Sequence, residues 1–377
     1  MKRIILLSLL AALSLTTEAQ KKFRLWSDTS KNERTIVLPI LVFTPETHLG
    51  VGALGIRLWK NIDSLHETRT SNAELVALYT SRQQIILIPR YTIFTRGEKY
   101  LIEGFGEELI GFRDFYFGQG DEVPITTHNK ADYKSKYGVV YDVLGWENRI
   151  GRRVFKKHKL FIGLETRAIQ YYNIRSEPTG VLDVSKVEGY QGSSSIGLGP
   201  ALTWDNRDNV VNPSKGFYWD TRYSMYSTAL GGTVNYHRLF IDLRKYINVK
   251  PSKRHILAFE LLANFVRGDA PFKEMAELGG PRIMRGFYRG RFRDNYLTAV
   301  QTEYRIPLNR RIGVVGFAGV GKVYNPSQVN LEGLHYSYGG GLRVNINKRE
   351  KLNLRLDYAL GDPDHPGYFY LGFSESF

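Results

Sequence analysis

The chain has 377 residues, no cysteine, 24 Tyr, 20 Phe and a formal net charge of +15. The lack of cysteine excludes a disulfide framework and a lipid anchor attached to a cysteine. The positive charge fits nucleic acid, an anionic lipid surface or a charged lumen, and the export signal described next argues against nucleic acid.

The first 19 residues have the pattern of a secretory signal peptide. Two basic residues precede an apolar run from 4 to 15, and small or polar residues follow up to Ala19. That run is too short to span a bilayer as a helix, and no uninterrupted apolar run of about 18 residues occurs later. We therefore expect an exported protein with a signal peptide at 1–19, a short periplasmic segment at 20–33 and a membrane domain at 34–377.

The membrane domain is predicted from alternation of apolar and polar residues with period two, which is typical of β-strands. Sixteen such segments follow one another: 35–44, 49–59, 72–81, 83–95, 99–109, 135–147, 159–172, 192–204, 216–227, 233–248, 254–267, 295–307, 311–323, 335–346, 351–360 and 367–377. The longer gaps fall mostly after odd-numbered segments. Outer-membrane barrels have this asymmetry, with long loops outside and short turns in the periplasm.

The aromatic residues and the chain end favour a membrane barrel over a large soluble all-β protein. Tyr and Phe cluster at strand ends, as they do in the girdles at the two bilayer interfaces. Phe369, Leu371, Phe373 and Phe377 share one face of the last predicted strand. The sequence therefore predicts an all-β, 16-stranded antiparallel transmembrane barrel in the outer membrane.

Motifs that resemble enzyme signatures have simpler explanations in this pattern. Gly50, Gly52 and Gly55 have the spacing of a dinucleotide loop, but a strand rather than a helix follows them. The eight histidines are scattered without the spacing of metal ligands. We predict no catalytic residue, no metal site and no cofactor, and leave open an outer-membrane lipase whose Ser and His meet across strands.

A basic run, Arg152, Arg153, Lys156, Lys157 and Lys159, lies between the sixth and seventh predicted strands. The order of loops places it on the periplasmic side. Phospholipid headgroups are one partner for such a run. A plain solvated turn is the simpler interpretation.

The segment 277–294 concentrates five arginines and four glycines. It is too polar for a core and too irregular for a strand. The composition alone leaves two interpretations, a mobile basic loop or a loop held by acidic partners.

Two stretches resemble hallmarks of the BamA/TamA-type outer-membrane superfamily, also called the bacterial surface antigen family. The strand-turn hallmark in residues 202–224 is matched by Asp205, Arg207, Asp208, Pro213 and Gly216. The loop signature of the family is matched by Arg285, Gly286 and Phe287, preceded by Gly279 and Gly280. The resemblance covers essentially the whole chain after the signal peptide.

The resemblance implies that the loop folds back into the lumen, where its arginine meets acidic groups on the barrel wall. Alternation of apolar and polar residues along the predicted strand 295–307 turns Glu303 toward the lumen. Glu303 is therefore the candidate partner of Arg285. The family commonly has an aspartate in the next strand, at the position where this chain has Gly319. Asp357 is a possible replacement for the missing acid.

Two departures from the family affect the expected function. The chain lacks the periplasmic POTRA domains of members that insert or export proteins, and Glu375 stands where the family favours an aromatic residue. We therefore interpret the chain as a POTRA-less member that assists insertion or translocation of outer-membrane proteins. Its route would be a weak seam between the first and last strands, marked by Pro39 and Phe377.

The alternative function is a passive or gated pore, or a structural barrel that docks a surface or periplasmic lipoprotein. The expected partners are outer-membrane lipids, including anionic lipopolysaccharide, together with client outer-membrane proteins or accessory lipoproteins. No nucleic acid partner is predicted.

Overall fold

The computed structural model describes residues 33–377 except 61–67, 122–129, 156–158, 211, 328–329, 331, 348–351 and 363–366. The predicted signal peptide and residues 20–32 of the predicted periplasmic segment lie outside the described residues.

The described chain is built almost entirely of antiparallel strands. They are β1 (Glu33–Thr44), β2 (His48–Trp59), β3 (Ser71–Thr80), β4 (Ile85–Phe94), β5 (Tyr100–Phe115), β6 (Gly138–Arg153), β7 (Leu160–Ser176), β8 (Ser193–Asp205), β9 (Gly216–Tyr226), β10 (Tyr236–Lys250), β11 (His255–Gly268), β12 (Ala276–Leu278), β13 (Phe292–Asp294), β14 (Tyr296–Pro307), β15 (Ile312–Tyr324), β16 (His335–Asn347), β17 (Leu352–Leu360) and β18 (Tyr368–Phe373). Two short helices, α1 (Lys130–Tyr137) and α2 (Val181–Ser185), lie in loops. None of the helices in the described ranges is long and apolar enough to cross a bilayer.

Sixteen of these strands close into a single barrel, in which each strand pairs with its neighbours in the chain and β1 meets β18. The strands β12 and β13 form a separate hairpin inside the long loop between β11 and β14. The predicted 16-stranded antiparallel barrel is therefore confirmed. Each of the sixteen predicted segments corresponds to one barrel strand.

The largest errors in the predicted boundaries concern β5 and β6, which are longer than expected. Gly111 has a φ of +62°, and the pairing of β5 with β6 shifts register between Leu109 and Phe112. This bulge interrupts the alternation, so the sequence pattern seemed to end at residue 109. Pairing resumes beyond the bulge and continues to Phe115.

Alternation along the strands separates a lipid-facing surface from a lumenal one. Outward residues such as Leu75, Leu164 and Tyr336 are exposed. Inward residues such as Glu303 and Asp357 are fully buried. Apolar side chains outside and charged side chains inside are the arrangement of an outer-membrane barrel.

The lumenal wall is nevertheless divided into two unlike parts. From β1 to β4 and at Leu109 of β5 it carries a cluster of apolar side chains, although Glu103 and Glu107 of β5 also face the lumen. The apolar side chains are Leu38, Ile40, Val42, Leu54, Ile56, Val76, Leu78, Ile86, Ile88 and Leu109. From β6 to β17 it carries arginines and carboxylates that pair with one another within a strand, between neighbouring strands and between β6 and β9. The apolar part adjoins the junction between β1 and β18.

Candidate functional site

The loop 269–295, between β11 and β14, folds back into the barrel. Its hairpin strands β12 and β13 pair from Ala276 opposite Asp294 to Leu278 opposite Phe292. Leu278 and Phe287 are fully buried, and they pack with Leu297 and Val323 of the barrel wall. The loop is therefore held inside the lumen by packing as well as by charge.

Arg285 makes the most buried charged contacts of this loop. Its side chain is 1% exposed, with Nη2 2.5 Å from Glu303 Oε1 on β14 and Nη1 2.6 Å from Asp357 Oδ2 on β17. The guanidinium also lies over the ring of Phe317, 3.6 Å from its centroid. Arginine suits this position because its planar fork donates to two carboxylates at once. The family resemblance predicted that this arginine meets acidic groups of the wall, and the inward position of Glu303 on its strand made it the candidate.

The two carboxylates that bind Arg285 belong to a larger network. Glu303 also accepts from Arg305 at 2.9 Å, and Asp357 accepts from Arg343 at 2.5 Å. Arg343 in turn donates to Glu375 at 2.7 Å. Each buried charge therefore has a partner of opposite sign, which offsets the cost of removing it from water.

The glycines of the loop signature occupy positions where a larger residue would not fit. Gly286 has a φ of +111°, and a Cβ there would lie 2.5 Å from the main chain of Leu360. Gly279 and Gly280 have φ values of +110° and +112°. These positive angles favour glycine, and the close approach at Gly286 lets the loop backbone reach β17.

Phe287 fixes the tip of the loop through its ring. It lies edge-on to Phe292, with ring centroids 5.4 Å apart, and to His335 on β16 at 5.8 Å. Tyr370 on β18 accepts from the main-chain N–H of Gly286 at 3.1 Å. The signature residues therefore connect the loop to β14, β16, β17 and β18.

Gly319 lies where the resemblance implies a second acid, and a side chain there would require Met284 to move. A Cβ at Gly319 would lie 2.9 Å from Sδ of Met284, the residue before Arg285. Met284 is fully buried and fills this space. Asp357 supplies the second carboxylate from another strand.

The change Gly319→Asp is therefore expected to weaken loop docking, although it restores the acid of the family pattern. The new side chain would displace Met284, and overpacking of this kind costs roughly 1–3 kcal/mol. Limited trypsin digestion of the folded barrel should cleave the loop faster in Gly319→Asp than in wild type. The cleavage rate of Gly319→Ala should lie between the two. Slower cleavage than wild type would show that the acid strengthens docking.

A second anchor, which the sequence did not reveal, holds the start of the loop. Glu274 is buried and contacts Arg167 on β7, Tyr171 at 2.7 Å and Arg238 on β10 at 3.1 Å. Next to it, Lys273 lies 2.7 Å from Asp114 on β5. The docked segment therefore begins before residue 277, the boundary predicted from composition. In the sequence, the inward-facing arginines of β7 and β10 were the available indication of this anchor.

The charge on Glu274 makes docking of the loop dependent on acid pH. Burial alone would raise the pKa of its carboxyl, but Arg167 and Arg238 lower it from 4.5 to about 2. A carboxyl whose pKa is lowered by folding stabilises the folded state at pH values above its unfolded pKa. This stabilisation is lost as the pH falls through its folded pKa. Trypsin-resistant docking, measured after brief acid exposure, should persist to about pH 4.5 and decline between about pH 4.5 and 2. Glu274→Gln should be cleaved faster at neutral pH and should lose less of its resistance than wild type between about pH 4.5 and 2.

The end of the chain corrects the prediction for Phe377. The last strand ends at Phe373, because Ser374 has a φ of +64° and its N–H donates to Asn353 O at 2.8 Å. Phe377 is 5% exposed and packs inside the barrel with Tyr246 and Ala258. It does not share the lipid-facing surface of β18 and does not line the junction with β1.

The inward turn of 374–377 joins the chain end to the loop. Ser376 Oγ donates to Arg282 O at 3.0 Å, and Arg305 Nη2 lies 2.8 Å from the main-chain O of Phe377. Glu375 pairs with Arg343. The departure from the family at Glu375 therefore has a structural role, since the carboxylate holds this segment in the lumen.

The junction between β1 and β18, called the seam below, is the shortest pairing in the described barrel. It has one register pair, Phe43 opposite Leu371, whereas β1 pairs with β2 at all positions from Glu33 to Thr44. Pro39 lies on β1 opposite Ala53, in the part of the strand that has no register partner on β18. Because 374–377 turns inward, that part of β1 is an open strand edge.

The strand-turn hallmark lies at the opposite end of the barrel from the docked loop's entry. Asp205 Oδ1 accepts from Arg207 Nε at 2.9 Å, and its Oδ2 lies 3.0 Å from Arg69 before β3. Asp208 accepts from the N–H of Ser214 at 2.8 Å. Pro213 is buried, and Gly216 has a φ of +117° beside the main chain of Arg207. These contacts shape the turn between β8 and β9, and the hallmark residues do not meet Arg285.

A cavity of about 300 Å³ remains between the loop and the charged wall. Glu147, Arg222 and Asn264 are among the residues that line it. Within the part of the chain that the structure describes, no group of three or more His, Asp or Glu side chains is arranged to hold a metal ion. The site is therefore a docked loop, a charged wall and an incompletely paired seam.

Comparison with known proteins identifies one family and several similar folds. The Omp85 superfamily domain matches residues 105–377. Comparison with curated protein sequences found no match.

Solved structures of two kinds of barrel resemble this one. BamA from Haemophilus ducreyi lacking POTRA domains 1–3 has a TM-score of 0.57 at 12% identity, over 91% of this chain and 70% of that chain. CdiB from Escherichia coli has a TM-score of 0.55 at 10% identity, over 91% and 62%. CdiB from Acinetobacter baumannii has a TM-score of 0.52 at 10% identity, over 91% and 59%. At these identities the likeness concerns the fold, and this chain spans about three fifths of the CdiB chains.

Proposed function

Because the chain belongs to the Omp85 superfamily, we propose that it assists the insertion or translocation of outer-membrane proteins, together with partner proteins. The described residues form the barrel and its loops, without a POTRA-like domain among them. Recruitment of clients is therefore assigned to separate partners, such as accessory lipoproteins. The proposal assigns no catalytic residue.

The observation that supports this function most directly is the seam. The edge of β1 from residue 33 to 42 has no register partner on β18, while its other edge is fully paired with β2. An open strand edge is a template on which an incoming strand forms main-chain hydrogen bonds. A single register pair, Phe43 with Leu371, holds the barrel closed, so separating β1 from β18 costs little free energy.

The apolar part of the lumenal wall supports the same function. Leu38 and Val42 on β1 and Ile56 on β2 face the lumen beside the seam and are only partly buried. A membrane strand has one apolar face, which needs an apolar surface before it reaches lipid. The wall beside the seam provides that surface, whereas the charged wall from β6 to β17 does not.

The docked loop argues against a wide passive pore. It crosses the lumen from contacts on β5 and β7 to contacts on β14 and β17. In this proposal the loop keeps the lumen closed to solutes while the seam opens sideways. Outer-membrane lipids, including lipopolysaccharide, surround the barrel in the proposed location.

The function is tested with the purified protein in liposomes. A urea-denatured outer-membrane barrel is added, and its folding is followed by heat-modifiable gel mobility. We expect faster folding than in empty liposomes and little steady conductance in a planar bilayer. A large, steady open-channel current with no effect on client folding would favour the pore and overturn the proposal.

A further inference from the structure

Two basic side chains and a tyrosine lie together on the outer face of the barrel, at one end of three consecutive strands. His237 on β10 is the register partner of Arg267 on β11. The His237 ring stacks on that of Tyr223 on β9, with centroids 6.0 Å apart, and the Tyr223 hydroxyl lies 3.1 Å from His237 Nδ1. These three residues are named the boundary site below.

The side chains of the boundary site point away from the lumen. Tyr236 and Val266, which precede His237 and Arg267 in the chain, are buried and face inward. His237, Arg267 and Tyr223 are exposed. Because successive residues of a strand point to opposite faces, all three belong to the lipid-facing surface.

The boundary site lies at the edge of the apolar band of the barrel. Along β10, the outward residues after His237 are Leu239, Ile241 and Leu243, and the next one is the exposed Lys245. From the rise per residue and the tilt of barrel strands, His237 and Lys245 are roughly 20 Å apart along the bilayer normal. The apolar band of an outer-membrane barrel is about 25 Å tall. The two cations therefore bracket the hydrocarbon region on this strand.

The boundary site lies at the end of the barrel that carries the long loops. The number of barrel strands is even, so both chain ends lie at one end, and β10 starts at the other. The three longest connections, which follow β5, β7 and β11, are also at the end where β10 starts. In outer-membrane barrels the long loops are extracellular, so the site faces the outer leaflet.

The chain supplies no acidic partner for Arg267 among the described residues. The connection 227–235, between β9 and β10, contains no charged residue. Asp269 is exposed and follows Arg267 closely in the chain, but no described carboxylate lies within ion-pairing distance of the Arg267 guanidinium. That guanidinium is therefore available to an anion from outside the chain.

Tyr223 prepares His237 to donate to the same anion. A hydroxyl that donates to Nδ1 leaves the ring proton on Nε2, at the other side of the ring. Arg267 adds a planar fork of N–H donors, which matches the oxygens of a phosphate. Two donor groups on adjacent strands can therefore hold one phosphate.

Apolar side chains lie beside the boundary site, on the side of the hydrocarbon region. Met225 is the register partner of His237 and is 47% exposed. Leu239 lies between Tyr223 and Phe265 in the register of the three strands. This surface fits the acyl chains of a molecule whose phosphate binds at the site. A free phosphate ion or an acidic soluble protein would not use it.

We infer that the boundary site binds a phosphate group of lipopolysaccharide in the outer leaflet. The lipid part of that molecule, lipid A, carries phosphates at the depth of the headgroups and acyl chains beneath them. The inference rests on the outer-membrane location of the barrel and is independent of the proposed role in client folding. The bound lipid would cover the wall from β9 to β11, which lies across the barrel from the seam.

The test uses the full-length protein in dodecyl maltoside micelles, and native mass spectrometry measures the retention of added diphosphoryl lipid A. The site variant combines His237→Gln and Arg267→Gln. The matched control combines Lys250→Gln and His255→Gln, a register pair at the opposite end of the same two strands, where His255 Nδ1 lies 2.7 Å from the Tyr304 hydroxyl. Heat-modifiable mobility confirms that both variants are folded.

We expect wild type and the control to retain lipid A equally. The site variant should bind it roughly tenfold more weakly or worse, because two donors to a charged group are lost. Lipid A without its phosphates should bind to wild type as weakly as intact lipid A binds to the site variant. Wild type should retain less dioleoyl phosphatidylglycerol than lipid A, and excess inorganic phosphate should not displace the lipid A.

Three results would overturn the inference. Unchanged lipid A binding by the site variant, or an equal loss in the control, would show that the boundary site does not select the lipid. Equal retention of phosphatidylglycerol would show a site for any anionic lipid. Displacement by inorganic phosphate would show a site for the free ion. Client folding is not measured, so none of these results bears on the proposed function.

Discussion

The variant Arg285→Ala is expected to release the loop 269–295 from the barrel wall. It removes a guanidinium that is 1% exposed and contacts both Glu303 and Asp357. Breaking a buried ion pair costs roughly 3–5 kcal/mol. Because Glu303 keeps Arg305 and Asp357 keeps Arg343, the loss should fall toward the lower end of that range.

Two measurements follow the release of the loop. The loop contains several arginines, so limited trypsin digestion should cut it much faster in Arg285→Ala than in wild type. Conductance in a planar bilayer should rise as the lumen opens. Both effects are expected together because one segment provides the protease sites and blocks the lumen.

The variant Arg289→Ala is the matched control for this prediction. The side chain of Arg289 is 47% exposed and lies 3.5 Å from Glu277, so the pair is worth about 0–1 kcal/mol. The control should resemble wild type in both measurements. If Arg285→Ala also resembles wild type, the loop is not held by Arg285 and the docking model is wrong.

The second large effect is expected from a disulfide across the seam. The combined changes Phe43→Cys and Leu371→Cys place thiols at the one register pair between β1 and β18. The chain has no other cysteine, so no competing disulfide can form. With the strands locked, β1 and β18 cannot separate to admit a client strand between them, and the effect of the protein on client folding in liposomes should be lost under oxidising conditions.

Reduction and a second cross-link give the controls. Dithiothreitol should restore the acceleration of client folding in the seam variant. The combined changes Phe43→Cys and Leu49→Cys link β1 to β2, which are already paired along their whole length. This link should leave client folding unchanged. Full activity of the oxidised seam variant would contradict the seam mechanism while leaving the fold intact.

Much of the fold was predictable from the sequence because its signal is local. In a strand, successive side chains point to opposite faces, so period-two alternation reports strand position and phase without knowledge of the partners. Strand phase turned Glu303 inward and made it a candidate for Arg285, and the two are in contact. The resemblance supplied the identity of the loop, which alternation alone did not.

Other features depended on contacts between distant strands, which local pattern does not encode. Asp357 supplies the second acid because β17 as well as β14 faces Arg285 of the docked loop. Met284 fills the space at Gly319. The anchor at Glu274 required β7 and β10 to face the loop across the lumen.

The last strand illustrates the division between local and tertiary information most clearly. Its alternation continues to Phe377, and the sequence by itself therefore determined a strand with an aromatic end. The tertiary structure decided that Ser374 turns and that Glu375 reaches Arg343, which brings Phe377 into the lumen. Burial of a carboxylate beside a paired arginine outweighs continued strand pairing by residues 374–377, and this choice depends on where β16 lies.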